Sequence, residues 1–379
     1  MDISRRHLLA AAIGATGCTQ PRAPRVAAYC FVANREGRSV GAIDLSRFRV
    51  TRQIALDASP EQVIGHPKQP RAYVLAPQNG TVYEIDSATK SLARRARAGN
   101  VAIGMRLNNA GDALWVLYRD PASLVEIPLD SMKPGRRVKL NAPPDDFDLA
   151  IQTEDACVVS RHAQTITVIS LPQAAVLRTI SAIAEPAIAR FRKDGKHIIA
   201  GSEADRSLTI YDTALAKTVV RLPISVAPRN FCFDSEGGQL YVTGDGMDAV
   251  VVVYPYRTEV SETRLAGHAP GAMAITETNP SYLMLTNPDA SDVTVLDVYS
   301  LKLTATVGVG KGPCAIVMTP DREYALVLNR ESGDMAVIWI RNLAGNQVGG
   351  VMVKRYKIAP LFTMFPVGEG PVSAAVVRV

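Results

Sequence analysis

From residue 29 onward the chain alternates short apolar runs with polar turns, and the runs recur at a fixed interval. The residues that open them are Tyr29, Tyr73, Leu114, Cys157, Ile198, Leu240, Tyr282 and Tyr324, spaced 44, 41, 43, 41, 42, 42 and 42 residues apart. A period of this size means a repeat architecture, in which each unit is too small to bury its own faces and finds a core against its neighbour.

The segment 312–340, GPCAIVMTPDREYALVLNRESGDMAVIWI, shows the order of features within one unit. A Gly-Pro turn leads into an apolar strand, then come a Pro-Asp turn, a second strand, a polar loop and a third strand. A weaker alternating stretch such as LKLTATVGVG (301–310) completes the unit. Period-2 alternation recurs throughout, and no window after residue 28 sustains a helical apolar period. Four short strands in about 42 residues predict a blade of a β-propeller, so the fold class is all-β.

First strands are expected near Pro60, Asn100, Asp146, Glu185, Pro228, Pro270, Pro313 and Pro371, which gives eight four-stranded antiparallel blades. Seven is the alternative, should the unit around Cys157 be absorbed irregularly. The chain opens on a second-strand element, AYCFVANREGRSVGAIDL, and ends on a first-strand element, GEGPVSAAVVRV. The two ends should therefore pair in one blade and close the ring, leaving no blade without a neighbour.

The segments AYVLAPQNGTVYEIDSATKSL (72–92), QLYVTGDGMDAVVVVY (239–254) and 280–321 resemble the YVTN β-propeller repeat, whose relatives include the lactonase-type propellers. The resemblance covers nearly all of residues 28–379. It implies the fold and a place in the cell envelope, and it leaves function open because the repeated residues are structural. Asp44, Asp86, Asp130, Asp212 and Asp297 each close a third strand, where a carboxylate can accept the N–H groups of the following turn.

Residues 1–17 carry the twin arginine Arg5-Arg6 before a short, weakly apolar run, and so resemble a twin-arginine export signal. The run ends in Ala15-Thr16-Gly17-Cys18, which is similar to a bacterial lipobox, although Leu is usual where Ala15 stands. The resemblance implies acylation of Cys18, a tether over residues 18–27, and a propeller domain over 28–379 held to a membrane in the periplasm or cell envelope.

Composition narrows the chemistry. The net charge of +6 becomes +5 once Asp2, Arg5 and Arg6 leave with residues 1–17, a mild basicity without the aromatic-interleaved basic stripe of a nucleic-acid binder. Cys30, Cys157, Cys232 and Cys314 fall one to a blade and read as buried thiols, not as a disulfide framework. No haem-attachment, paired Cys-x-x-Cys, phosphate-loop or Gly-x-Ser-x-Gly motif occurs, so neither cofactor nor metal is assigned. Asn287 with Asp289 and Asp292 has the oxygens for calcium, but the same residues suit a tight turn.

Propeller topology puts the second-to-third loops and the fourth-to-first turns on one face, here the top. Arg35, Arg119, Arg161, His162, Arg229, Asp245, Asp289 and Arg330 lie there and are the candidate binding residues for a protein or glycan partner. A basic arc over blades 1, 3 and 4 would oppose an acidic arc over blades 6 and 7. Pairing within blades would erase those arcs: Glu369 with Arg35, Asp145 or Asp146 with Arg161 and His162, Arg229 with Asp245, and His268 with Asp289.

The reading is thus a non-catalytic, envelope-anchored binding propeller. One alternative is a lactonase-like hydrolase of a sugar lactone or ester, with Arg161, His162, Arg229 and His268 as its only catalytic set. The other is a quinoprotein-like electron-transfer propeller, with Trp115 and Trp339 as its only tryptophans. On the bottom face, blade 8 carries an insertion, 341–360, whose Arg341, Lys354, Arg355 and Lys357 could meet anionic headgroups.

Overall fold

The computed structural model describes residues 27–182, 185–343, 347–348, 351–352 and 359–378. They build eight four-stranded antiparallel sheets. The first, channel-lining strands are Pro371–Arg378, Gln62–Gly65, Val101–Leu107, Asp146–Leu149, Pro186–Phe191, Ala227–Phe233, Met273–Ile275 and Pro313–Met318, for blades 1 to 8 in turn. The unit around Cys157 is a complete blade, which decides for eight over seven. Among the described residues, helix is confined to two single 3-10 turns, Pro77–Asn79 and Ile340–Asn342.

Closure is as expected. Ala28–Asn34 pairs antiparallel with Pro371–Arg378 on one edge and with Ser39–Asp44 on the other. Every residue of Ala28–Asn34 except Tyr29 is buried.

The cores lie between the blades. Among the described residues there are eight apolar clusters, each drawn from two adjacent blades. Between blades 2 and 3, for example, Tyr73, Leu75 and Val82 meet Met105, Leu114, Val116 and Tyr118. Second strands supply both faces of their sheet, so Tyr324–Asn329 is buried at all six positions. At about 1.5–3 kcal/mol per fully buried large apolar side chain, these interfaces supply most of the driving force for the ring.

The turn carboxylates behave as expected. Asp44 accepts the Ser46 N–H at 2.9 Å, Asp86 that of Thr89 at 2.8 Å, Asp130 that of Ser131 at 2.5 Å, Asp212 that of Leu215 at 2.7 Å and Asp297 that of Ser300 at 2.7 Å. The Thr89 N–H holds the Asp86 carboxyl below its usual range, and the Ser300 N–H does the same for Asp297. Asn34, Asn287 and Asn329 end the second strands of blades 1, 7 and 8, and each donates its amide N–H to the side chain five residues on, which is Ser39, Asp292 and Asp334 in turn. Gly267 and Gly368, at φ +93° and +139°, lie so close to the Asn287 and Asn34 amides that a Cβ would come within 2.3 Å of them.

Straps between blades were not foreseen. Arg52, Arg94, Arg136 and Arg178 stand 42 residues apart, on the fourth strands of blades 1, 2 and 4 and, for Arg136, just before that of blade 3, and each reaches carbonyls in the third-to-fourth turn of the next blade. Arg52 donates to Thr89 O at 3.2 Å, Arg94 to Leu129 O at 2.6 Å and Asp130 O at 2.5 Å, and Arg136 to Leu171 O at 3.1 Å and Pro172 O at 2.8 Å. Arg178 donates to Ala214 O.

In two of these blades a buried glutamate anchors the arginine. Glu84 has no exposed side-chain surface and is held by Arg94, at 2.6 Å, and by Arg71. Glu126 holds Arg136, whose guanidinium lies 5.7 Å from the centre of the Trp115 ring. Removing one partner of a buried ion pair strands the other charge. Arg94→Ala should therefore lower unfolding free energy by roughly 2–3 kcal/mol in urea titration, since Arg71 still partners Glu84, whereas Arg52→Ala, which strands no acid, should cost under about 1 kcal/mol.

Candidate functional site

The antiparallel order of each blade puts first-to-second loops and third-to-fourth turns on the bottom face and the remaining connections on top. The described chain enters at the bottom, where Ala28 O accepts the Leu45 N–H at 3.1 Å. Blade 8's insertion holds a short hairpin, Gln347–Val348 with Val351–Met352. Its Arg341 is engaged with Glu323 at 2.6 Å rather than free for headgroups. Lys354, Arg355 and Lys357 lie outside the described residues, as do Arg5, Arg6 and Cys18.

On top, the candidate residues are drawn into ion pairs, and most of these cross blade boundaries. Arg35 pairs with Glu61 of blade 2 at 3.1 Å, not with Glu369, whose backbone carbonyl instead accepts the Gly37 N–H. Arg119 reaches Asp145 of blade 4 at 2.9 Å, and Asp145 also accepts the Arg161 backbone N–H at 2.8 Å. Arg161 pairs with Glu203 of blade 5 at 3.1 Å, and Arg330 with Glu36 of blade 1 at 3.1 Å. In blades 1, 3, 4 and 8 the second-to-third loop thus finds its opposite charge on the following blade.

Two expected pairs within blades do form, Arg229 with Asp245 at 2.6 Å and His268 with Asp289 at 4.0 Å, though His268 is closer to Asp248 of blade 6, at 2.9 Å. Asp146 does not meet Arg161 or His162. It faces blade 5, where it accepts the Ala189 N–H at 3.1 Å and pairs with Arg190. Each arc is therefore neutralised by groups outside the other arc: Arg35, Arg119 and Arg161 by Glu61, Asp145 and Glu203, and Asp245 and Asp248 by Arg229 and His268. Such pairs contribute about 0–1 kcal/mol each, enough to occupy the groups without stiffening the face.

The hydrolase set is not assembled. Arg161 and Arg229 converge on Glu203, at 3.1 and 3.9 Å, while His268 lies with Asp248 and Asp289, and His162 makes no ion pair among the described residues. Trp115 is buried between blades 3 and 4, and Trp339 packs on Tyr324 with ring centres 6.3 Å apart. The Asn287 amide nitrogen, not its oxygen, faces Asp292 at 2.6 Å. Cys30 and Cys157 are buried, and burial pushes the Cys30 thiol up to about 12. Cys232 and Cys314 sit half-buried on the channel wall.

The bottom face holds a cavity of about 1030 Å³ across blades 2, 3 and 4 that sequence reasoning missed. Its walls are first-to-second loops around Lys68, Asn109 and Glu154 and third-to-fourth turns around Asp130 and Pro172, with the Glu84 and Glu126 pairs in its floor. His66 braces the rim: its Nδ1 accepts the N–H groups of Lys68 and Gln69 at 3.0 and 2.8 Å, which leaves Nε2 to donate to Gly111 O of blade 3 at 2.8 Å. Asn109 bridges to Ala150 O and Ile151 O of blade 4 at 3.1 and 2.6 Å. The side chains of Lys68, Gln69 and Glu154 make no hydrogen bond or ion pair among the described residues. The visible signal was the arginine period of 42 and the acids in TVYEID and SLVEIP, where an alternating strand would otherwise carry an apolar residue. A smaller cavity of about 680 Å³ lies on top between blades 8 and 1, lined by Glu36, Arg330, Glu331 and Glu369.

A family model described as YNCE-like β-propeller matches residues 109–348. The chain belongs to that family. No curated protein sequence matches it. Among solved structures it is similar to the dihydro-heme d1 dehydrogenase NirN in complex with DHE, with 14% identity and TM-score 0.72 over 92% of this chain and 78% of that one. It is also similar to hydrazine synthase from Kuenenia stuttgartiensis, with 18% identity and TM-score 0.55 over 82% and 91%. A third likeness is the β-propeller domain of Cps50 (Swd1) from Myceliophteria thermophila, with 14% identity and TM-score 0.60 over 75% and 98%. At these identities the likenesses show the fold alone.

His268 offers a direct check of the top-face pairing. Its hydrogen bond to Asp248, with the attraction of that carboxylate, raises its pKa above the ordinary 6.5. The contact is therefore strongest at low pH, down to the range where Asp248 itself protonates, and is lost as pH rises through the His268 midpoint. An NMR titration should place that midpoint above 6.5, and Asp248→Asn should bring it down.

Proposed function

We propose that this protein is a non-catalytic binding propeller of the cell envelope, exported by its twin-arginine leader and anchored through a lipid on Cys18. Its binding surface is the bottom groove over blades 2 to 4, and the ligand is a glycan or an extended peptide segment of an envelope partner. The carrying observation is the groove: its volume lies at the upper end of the ~300–1,000 Å³ range of ligand pockets, and Lys68, Gln69 and Glu154 on its rim are unspent. The top-face arginines Arg35, Arg119, Arg161, Arg229 and Arg330 are each taken up by an acid.

The tether supports the same face. Nine residues from Cys18 to Ala27 reach at most about 30 Å, so a bottom-face groove is kept within reach of components at the membrane surface. A chain that enters at the bottom and a groove that opens there belong to one arrangement, in which the partner lies between the propeller and the membrane.

Capture from solubilised envelope, together with a glycan array, separates the faces. A bound component should be retained by the wild type and by the top variant Arg119→Glu/Arg161→Glu/Arg229→Glu, and weakened at least tenfold by the groove variant Lys68→Glu/Ala110→Trp. Loss from the top variant alone moves the site to the top face. Silence in both assays removes the binding reading.

A further inference from the structure

The groove of the bottom face is built from one constellation used twice. Glu84, on the third strand of blade 2, stands across from Tyr73 and holds Arg94, whose guanidinium runs on to Leu129 O and Asp130 O. Glu126, on the third strand of blade 3, stands across from Trp115 and holds Arg136, which runs on to Leu171 O and Pro172 O. Every member of the second set lies 42 residues after its counterpart in the first. In the other six blades the place of the glutamate is taken by Ala42, Val168, Ile210, Val252, Val295 and Val337. Packing therefore needs no acid there, and the two blades that carry one are those whose guanidiniums line the groove.

The hydrogen-bonding capacity left in the groove is of both kinds. Arg94 and Arg136 are compensated by their glutamates and partly exposed, and each keeps an N–H without a partner among the described residues. Arg71 spends only Nη1, on Glu84, and Gln69 is unspent. Asp112 and Asp130 use one carboxylate oxygen each, on Asn108 and on the Ser131 N–H, and Glu154 uses neither.

A hydroxyl satisfies such walls because it donates and accepts at once. An anion would use only the donors, and it would meet the wrong sign: Lys68, Arg71, Arg94 and Arg136 face Glu84, Asp86, Asp112, Glu126, Asp130 and Glu154. An extended peptide gains its affinity by adding to a free sheet edge, and the groove is walled by loops and turns instead.

Resting on the groove as the binding surface, we propose that its ligand is a linear, uncharged oligosaccharide that crosses from blade 2 to blade 3, with equivalent units of its chain on the Arg94 and Arg136 subsites. Stacked sheets repeat at about 10 Å, the length of a disaccharide in an extended glycan. The chain is thus read at every second sugar, so a disaccharide reaches one subsite and a tetrasaccharide reaches both.

The test presents the full chain to an array of linear oligosaccharides and peptides, followed by calorimetric titration of what binds. Cello-, malto- and N-acetylchito-oligomers are the uncharged probes and oligogalacturonates the anionic ones. An uncharged series should bind one per chain, with affinity at least tenfold higher for the tetrasaccharide than for the disaccharide and unaltered by added salt, which screens only charged partners. Arg136→Ala should bring the tetrasaccharide down to the affinity of the disaccharide. Arg178→Ala removes a similar strap outside the groove and should leave binding unchanged, which separates a lost contact from a loosened ring. Equal affinity for the two lengths overturns the paired subsites. Binding of peptides or oligogalacturonates in place of every uncharged series, if lost in Lys68→Glu/Ala110→Trp, overturns the glycan and keeps the groove. Binding that ignores that variant, or no binding at all, overturns both.

Discussion

A four-stranded sheet that is apolar on both faces cannot stand alone, and everything else in this molecule follows from that. Each blade hides one face on the blade before it and the other on the blade after it, so the apolar clusters fall at the boundaries between blades and none lies within a single sheet. The requirement stays open until the last blade meets the first. It is met by pairing Ala28–Asn34 with Pro371–Arg378, a contact between the two ends of the described chain. Ring closure is therefore the step on which all the other interfaces depend.

Packing alone does not fix how far one blade is rotated against the next, because apolar faces are tolerant of small slips. Directional contacts across the boundaries supply that precision. The arginines of blades 1 to 4 reach carbonyls of the following turn, His66 and Asn109 do the same from the first-to-second loops, and the top-face pairs lean the same way. Individually these are worth about a kilocalorie or less beside the buried clusters. Their direction is what matters, since each joins a blade to its successor.

The same distinction explains what was legible in the sequence. Blade number, strand order and closure were readable from Tyr29 to Tyr324 because burial of alternate residues leaves a period that needs no knowledge of partners. The turn aspartates were readable because their bonds are local. Of the top-face pairs sought inside one unit, Arg229 with Asp245 and His268 with Asp289 form, whereas Arg35 with Glu369 and Asp146 with Arg161 do not, because the overhang of those loops onto the next blade leaves no trace in local sequence. The groove was missed for a related reason: a search anchored on apolar positions passes over Arg52, Arg94, Arg136 and Arg178, although their spacing is as regular as that of the anchors.

The ring is also divided in what its units carry. Blades 7, 8 and 1 keep the strand-ending asparagine, in Asn287, Asn329 and Asn34, and with it a uniform turn built from side-chain amide and glycine. Blades 2 to 5 have Ala76, Asp120, Ser160 and Ser202 at the corresponding ends, and within this arc lie the acids inside the sheets of blades 2 and 3, three of the four boundary arginines and the Asp146–Arg190 pair on the channel wall. Burying Glu84 and Glu126 costs desolvation that apolar residues at the same positions would avoid. In a fold whose stability is already met by packing, that cost concentrated in one half of the ring marks where the chain gives up uniformity, and the groove lies in that half.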